Sequence, residues 1–351
     1  GIFMETLTHA NPALSRRWYR ADNIRWLLLF NVIAEHMITL TGCFPHPVLE
    51  LVATWSRLVT MPGFCFLSGY FSKNTDKGYD NAIVDFLVPY IIFNTLFTLI
   101  FGSDYPTIFS PTFQYWYLLS MFCWKLTAKT LVKIRGIIPL SIAAALLVGI
   151  CPDVTNFLSL SRTIVFLPYF LVGLKMSRED VRKIEQLPKW AVGAAVVLVL
   201  AVMGWLNWHG YFDHRFYYNW NSYFYYHLPP WTGMMWRAVG FIASPVLVIG
   251  LFVFVPDRSL PVIRDGGTRT IVPYLLHSYF VMWVRYLLIF VPALDRWYIL
   301  LPFALASGVG LMCLLGLPAL DQLYKSLFGG LKRKMFAPAK ALAAASKDKQ
   351  T

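Results

Sequence analysis

The chain has 351 residues, of which 57% are hydrophobic, 17% aromatic and only 14% charged. Soluble domains carry nearer about 25% charged residues, and here the apolar residues fall in blocks of about twenty, so a water-soluble enzyme is excluded in favour of an all-α, polytopic membrane protein. The formal net charge of +13 would suit nucleic-acid binding, but its distribution along the chain serves membrane topology instead.

Residues 1–23 form a polar N-terminal segment that ends in Arg16, Arg17 and Arg20. Ten candidate spans follow, at 24–42, 47–71, 82–101, 113–132, 136–151, 157–176, 189–208, 231–255, 270–292 and 297–324, together making one transmembrane domain over 24–324. The first is too long for a signal-peptide core and lacks a small-residue cleavage site, so it is expected to stay as a span. Residues 325–351 are basic and of low complexity, and are expected to be a disordered tail. Cys43, Cys65, Cys123, Cys151 and Cys313 are scattered without metal-ligand spacing. They read as buried packing residues, with no metal and no disulfide framework expected.

With the N-terminus in the cytoplasm, 25 of the 31 Lys and Arg residues fall in or beside inner segments. The outer loops hold only Arg215 and Arg296, while Arg57, Arg162, Arg237 and Arg285 lie within spans. The positive-inside rule therefore predicts about ten spans with both termini cytoplasmic, in a plasma, inner or secretory-pathway membrane. Lipid is then the expected surroundings, and no nucleic-acid partner is called for.

Several spans carry polar chemistry. In the first, Arg25 and His36 are eleven residues apart, which is almost a whole number of turns. Both point from one face, roughly 16 Å apart along the axis. An ionisable pair such as Glu35 and His36 deep in a span is a functional-site hypothesis, against the blander reading of a histidine hydrogen-bonded to a neighbouring helix. In the second span, Arg57 lies near the middle and needs a carboxylate, carbonyls, water or an anion, the bland partner being Glu35 or Glu50. Pro62, Gly63 and Gly69 are expected to loosen that helix beside a polar cavity. The fourth span opens QYWYLLSMFCWKL, which reads as an interfacial aromatic girdle. In the sixth, Arg162 lies about 8 Å below the outer surface, beside Ser159 and Ser161. Arg237 in the eighth lies at a comparable depth and is able to snorkel. The outer loop 209–230, HGYFDHRFYYNWNSYFYYHLPP, combines aromatic faces with His, Asn and Asp, which suits a sugar ring as well as an interfacial belt. The ninth span begins DGGTRTIVPYLLHSYF, where glycines give a flexible approach to a helix N-terminus suited to an anion, with His277 two turns in.

These residues carry a resemblance. Arg25 and His36 with ten residues between them resemble the signature of the acyltransferase family 3 membrane proteins. MPGFCFLSGYFSKN at 61–74, then FLVPYIIFNTLF, YWYLLSMFCWKL, SRTIVFLPYFLVG and GGTRTIVPYLLH, are similar in order to blocks of its fucose 4-O-acetylase-like branch. Thr60 stands where that branch commonly has a histidine, and Glu35 where a small or apolar residue is usual. The resemblance implies an integral-membrane O-acetyltransferase that moves an acetyl or similar group from cytosolic acetyl-CoA to a hydroxyl of a sugar, glycan or glycolipid. It implies His36 as the essential histidine and Arg25 as the motif arginine. Glu35, Arg57 and Arg162 join the catalytic expectation, and Ser68, Lys73 and His277 join Arg25 as expected donor-binding residues.

Acyl transfer to a hydroxyl needs a base, donors for the oxyanion and alignment. Neutral His36 is the expected base, Arg57 or Arg162 would stabilise the oxyanion or grip the acceptor, and Arg25 would hold a CoA phosphate. Two other classes stay open. Intramembrane arginines could line the anion path of a transporter, although no matching halves or paired broken helices are visible. A non-catalytic membrane sensor or scaffold is the third.

Overall fold

A chain crossing hydrocarbon has to satisfy every backbone N–H and C=O internally, and each of the ten apolar stretches accordingly becomes helical. The computed structural model describes residues 17–40, 45–102, 108–154, 157–288 and 290–335. In chain order the helices are α1 (Tyr19–Thr39), α2 (Pro47–Tyr70), α3 (Thr75–Phe101), α4 (Trp116–Leu131), α5 (Ile137–Leu147) and α6 (Leu160–Lys175). They continue with α7 (Arg178–Glu185), α8 (Lys189–Trp208), α9 (Pro230–Phe254), α10 (Ile271–Leu287), α11 (Trp297–Leu315) and α12 (Pro318–Met335). Among the described residues there is no strand. Among the same residues, five helices are by themselves long and apolar enough to cross a membrane: α3, α6 with its preceding turn, α8, α9 and α11. Apolar side chains on their outward faces, such as Leu99, Trp190, Val197 and Ile242, are exposed, as they are on a bundle bathed in lipid. The protein is an integral, multi-pass membrane protein.

The inner segments assigned by the charge pattern touch one another. Arg20 reaches Glu185 at 3.1 Å and the Val255 carbonyl at 2.7 Å, Asn23 donates to the carbonyls of Pro256 and Arg258, and Lys129 pairs with Asp76 at 2.6 Å. At the opposite end, Glu50 and His214 lie 3.8 Å apart, and His46 stacks on Trp297.

Several expectations change. The stretch 297–324 is two helices, because Pro318 has no N–H with which to continue α11 but fits the first turn of a new helix. Residues 325–335, expected in a disordered tail, are the second half of α12. Lys325 meets Asp321 at 2.5 Å, and Lys332 bonds Asn81 of α3. Residues 336–351, like Cys43, lie outside the described residues.

The aromatic opening of the fourth span is not a surface girdle. Tyr115 and Trp116 are buried, Tyr115 donates to the Leu275 carbonyl at 2.8 Å, and Gln114 donates to Ser278 at 2.9 Å. The chain therefore enters the bundle before α4 begins, which hydrocarbon permits only where such backbone is covered by protein or lines a cavity.

The glycines bring backbones together more than they loosen them. α2 runs unbroken through Pro62, and its largest helix interface is with α6. A Cβ on Gly69 would stand 1.9 Å from the Phe170 carbonyl oxygen, and one on Gly173 would stand 2.0 Å from that of Phe66. This is the small-residue crossing that membrane helices use in place of a hydrophobic drive. Gly267, expected as a flexible approach, likewise lies against the Asp22 carbonyl. Of the described cysteines only Cys65 is fully buried. Cys123 is half-buried, and Cys151 and Cys313 are exposed because they stand on outward surfaces of the bundle.

Gly69→Ala is expected to destabilise by about 1–3 kcal/mol or more, the overpacking cost of a methyl group against backbone. Gly330→Ala, where nothing lies within 4 Å, is expected to be neutral or slightly stabilising. Thermal unfolding of both variants in detergent checks this, and equal behaviour would contradict the crossing.

Candidate active site

A cavity of about 1290 Å³ runs into the bundle between α1, α2, α4 and the outer loop, and its wall includes Glu35, His36, Arg57, Arg162, Tyr218 and Trp220. Arg57 is buried and fully engaged. It donates to Glu35 Oε1 from Nε at 3.0 Å and from Nη2 at 2.7 Å, to the Tyr218 hydroxyl at 2.6 Å, and to the His214 carbonyl. Tyr218 in turn donates to Glu35 Oε1 at 3.2 Å. Glu50, the other expected partner, belongs to the His214 contact instead.

Glu35 and His36 are consecutive, so their side chains leave α1 about 100° apart. Adjacent positions do not share one helix face, yet both side chains reach the cavity because it is wide. Glu35 turns to α2 and the outer loop, and His36 turns to α10. Glu35 Oε2 still comes within 3.8 Å of His36 Nε2. The other ring nitrogen, His36 Nδ1, lies 3.2 Å from His277 Nε2, with the two rings stacked at 5.3 Å between centroids. Phe113, just before α4, meets the His36 ring edge-on at 5.5 Å.

Arg162 faces the cavity with its guanidinium 4.6 Å from the Trp116 ring and 5.9 Å from that of Trp220. Its neighbour Ser161 ties the outer loop down by donating to the Asn219 carbonyl at 2.7 Å. Arg237 is buried rather than snorkelling, and donates to the Ala145 carbonyl at 2.9 Å. The outer loop divides its aromatic residues. Phe216, Tyr217 and Tyr223 pack into the core with Trp236, while Tyr218, Trp220, Asn221 and Tyr225 line the cavity. Burial raises the pKa of Asp213 in this loop, but hydrogen bonds and charge from Arg215 outweigh it and leave the carboxyl below its ordinary value.

The expected site thus separates into two regions. Glu35, His36, Arg57 and Arg162 meet at the cavity, and His277 joins them behind His36, away from the other residues expected to bind the donor. Arg25, Ser68 and Lys73 stay toward the end of the bundle that carries the basic flanks. Arg25 stacks on Phe71 at 4.0 Å and lies 3.4 Å from Asp22. Ser68 bonds the Tyr117 hydroxyl, and the Tyr117 ring forms part of the cavity lining. The Lys73 ammonium takes the carbonyls of Gly173, Leu174 and Met176, capping the end of α6.

The sequence model of the acyltransferase domain, Acyl_transf_3, matches residues 18–317. The chain belongs to the acyltransferase 3 family. No curated protein and no solved structure matches it. The matched region takes in every helix that borders the cavity. Tyr218, Tyr117 and the His36–His277 contact were not singled out by sequence. The tyrosines were hidden in aromatic-rich stretches, and no spacing along the chain joins two histidines 241 residues apart.

Removing one partner of a buried pair strands the other charge, at a cost of about 3–5 kcal/mol. Arg57→Leu in the acyltransferase is therefore expected to lower thermal stability sharply, and Glu35→Leu/Arg57→Leu to recover much of the loss. A double variant as unstable as the sum of the two single ones would show that the pair is uncoupled.

Proposed function

We propose that this family member transfers an acetyl group from cytosolic acetyl-CoA to a hydroxyl of a sugar, glycan or glycolipid, with His36 as general base. The observation that carries the reading is the placement of His36. It is an ionisable ring on the wall of a cavity larger than the roughly 300–1,000 Å³ of ordinary small-molecule pockets, which leaves room for an acyl arm and an acceptor together.

In the step proposed, the acceptor oxygen attacks the thioester carbonyl carbon while its proton passes to a ring nitrogen of His36. Collapse of the tetrahedral adduct breaks the C–S bond, and the proton returns to the leaving thiolate, giving an acetyl ester and free CoA. Arg57 is committed to Glu35, His214 and Tyr218, so its role is to hold that wall. Arg162, presented to the cavity by Trp116 and Trp220, is assigned to the developing oxyanion or to the acceptor. Trp220 and Tyr225 offer faces on which a sugar ring can stack, which supports the carbohydrate reading and the fucose 4-O-acetylase-like branch.

For the donor, Arg25 sits roughly 16 Å along α1 from His36, nearer the cytosol, and would hold a CoA phosphate. The pantetheine arm would pass the Tyr117–Ser68 pair to reach His36. Ten membrane crossings with both termini cytoplasmic fit this arrangement. The charge partition and the contacts among inner flanks support that count, and the outer loop then opens the cavity to the far side.

His36→Gln keeps a hydrogen-bonding side chain but cannot take the proton. It is expected to lose roughly 10²–10⁴-fold in acetyl transfer while acetyl-CoA still binds and the protein stays folded. A folded His36→Gln enzyme transferring acetyl groups near the wild-type rate would remove His36 from the base role.

A further inference from the structure

His277 is fully buried on α10, and nothing in the acyl-transfer step gives it contact with substrate. Its Nδ1 lies 2.9 Å from the carbonyl oxygen of Pro273, one turn earlier on the same helix. A carbonyl oxygen only accepts, so Nδ1 of His277 carries the proton, and in a neutral ring its Nε2 is then an acceptor. That nitrogen faces His36 Nδ1 at 3.2 Å, which must therefore be the donor. A neutral His36 has one ring proton, and it is used there. Nε2 of His36, the nitrogen not taken by His277, is left with its lone pair 3.8 Å from Glu35 Oε2, on a ring that lines the cavity.

We propose that His277 is a positioning residue that fixes His36 in the Nδ1–H tautomer, anchored by the Pro273 carbonyl, so that Nε2 meets the acceptor hydroxyl as a base. This rests on the reading of His36 as general base and adds what makes it competent. Without an acceptor behind it, the His36 ring is free to carry its proton on Nε2 and would present a donor where the hydroxyl needs an acceptor. The anchor is stiff, since Pro273 has a fixed φ and stands in the first turn of α10. When His36 takes the hydroxyl proton, its Nδ1–H stays bonded to the His277 lone pair, and the imidazolium is held in place without a second proton transfer. The dyad does the orienting work that a carboxylate does for histidine in other acyl-transfer sites, with a neutral ring as acceptor.

Two substitutions separate this role from packing. His277→Gln keeps an acceptor near the Nε2 position and loses the ring, and His277→Phe keeps a stacking ring and loses the acceptor. Measured in detergent with labelled acetyl-CoA and excess free fucose as the acceptor probe, His277→Gln is expected to stay within about tenfold of wild type. His277→Phe is expected to lose roughly 10²–10⁴-fold in kcat with an unchanged KM for acetyl-CoA. Phe as active as Gln, or more so, would overturn the proposal, because ring volume would then be all that matters. The wild-type enzyme gives a second reading that needs no variant at residue 277. Nitrogen NMR of the histidine-labelled protein, with the His36 signal assigned by its loss in His36→Gln, is expected to show protonated Nδ1 and bare Nε2. A protonated Nε2 at neutral pH would overturn the tautomer assignment. If the wild-type protein transfers no acetyl group, the acetyl-transfer reading fails instead, and the nitrogen spectrum alone decides the tautomer.

Discussion

A carboxylate inside a membrane bundle is tolerable only where a cation and hydrogen-bond donors meet it, and the Glu35–Arg57 pair at 2.7 Å is that meeting. The pair joins α1 to α2, and through the His214 carbonyl and Tyr218 it joins both to the outer loop. Three separate parts of the chain are thereby fixed around one ion pair. His36, one residue beyond Glu35, takes its position from the same helix, and the cavity it borders is walled by the residues that the pair holds. The two charges of the pair are compatible with hydrocarbon because each meets the other and further hydrogen-bond partners within the protein.

Much of this was legible in the sequence, for physical reasons that act locally. Apolar blocks as long as a bilayer is thick have to be helices, and the positions of basic residues order their ends, so the ten helical stretches could be read directly. Arg25 and His36 share a face because eleven residues make whole turns. Arg57, near the centre of a span, needed a carboxylate, and Glu35 is that partner. What could not be read depends on contacts between distant parts of the chain. Nothing local says that Tyr115 and Trp116 lie inside the bundle instead of at its surface, because an aromatic run suits either place. Nothing local says that Gly69 meets Phe170 across a helix crossing, or that His277 approaches His36 from another helix. The break at Pro318 was visible both as a residue and as a fall in hydropathy after it, and the single span expected over 297–324 passed across both.

The two regions of the site suggest a division of labour. Arg25, Phe71 and the Tyr117–Ser68 pair lie toward the basic face, and His36, Arg162 and the aromatic loop lie toward the other. A donor carrying several phosphate charges suits the first region, and an uncharged, ring-shaped acceptor suits the second. On the proposed reading, the stretch of α1 between Arg25 and His36 would set the reach of the acyl arm. The whole-turn spacing would then have a mechanical meaning, since both side chains would face one path for the acyl arm at its two ends.

On the proposed reading the acyl group would pass through the bundle while both substrates stay on their own sides, and sidedness is therefore the most direct test of that reading. Purified protein would be reconstituted in sealed vesicles, and vesicles with the basic face outward separated from the rest. Labelled acetyl-CoA would be added outside and the acceptor glycan enclosed within. Label should appear on the enclosed acceptor in vesicles of this orientation. Label that appears only when donor and acceptor share one side, or only when the donor meets the face bearing the 209–230 loop, would contradict transfer through the cavity from Arg25 to His36.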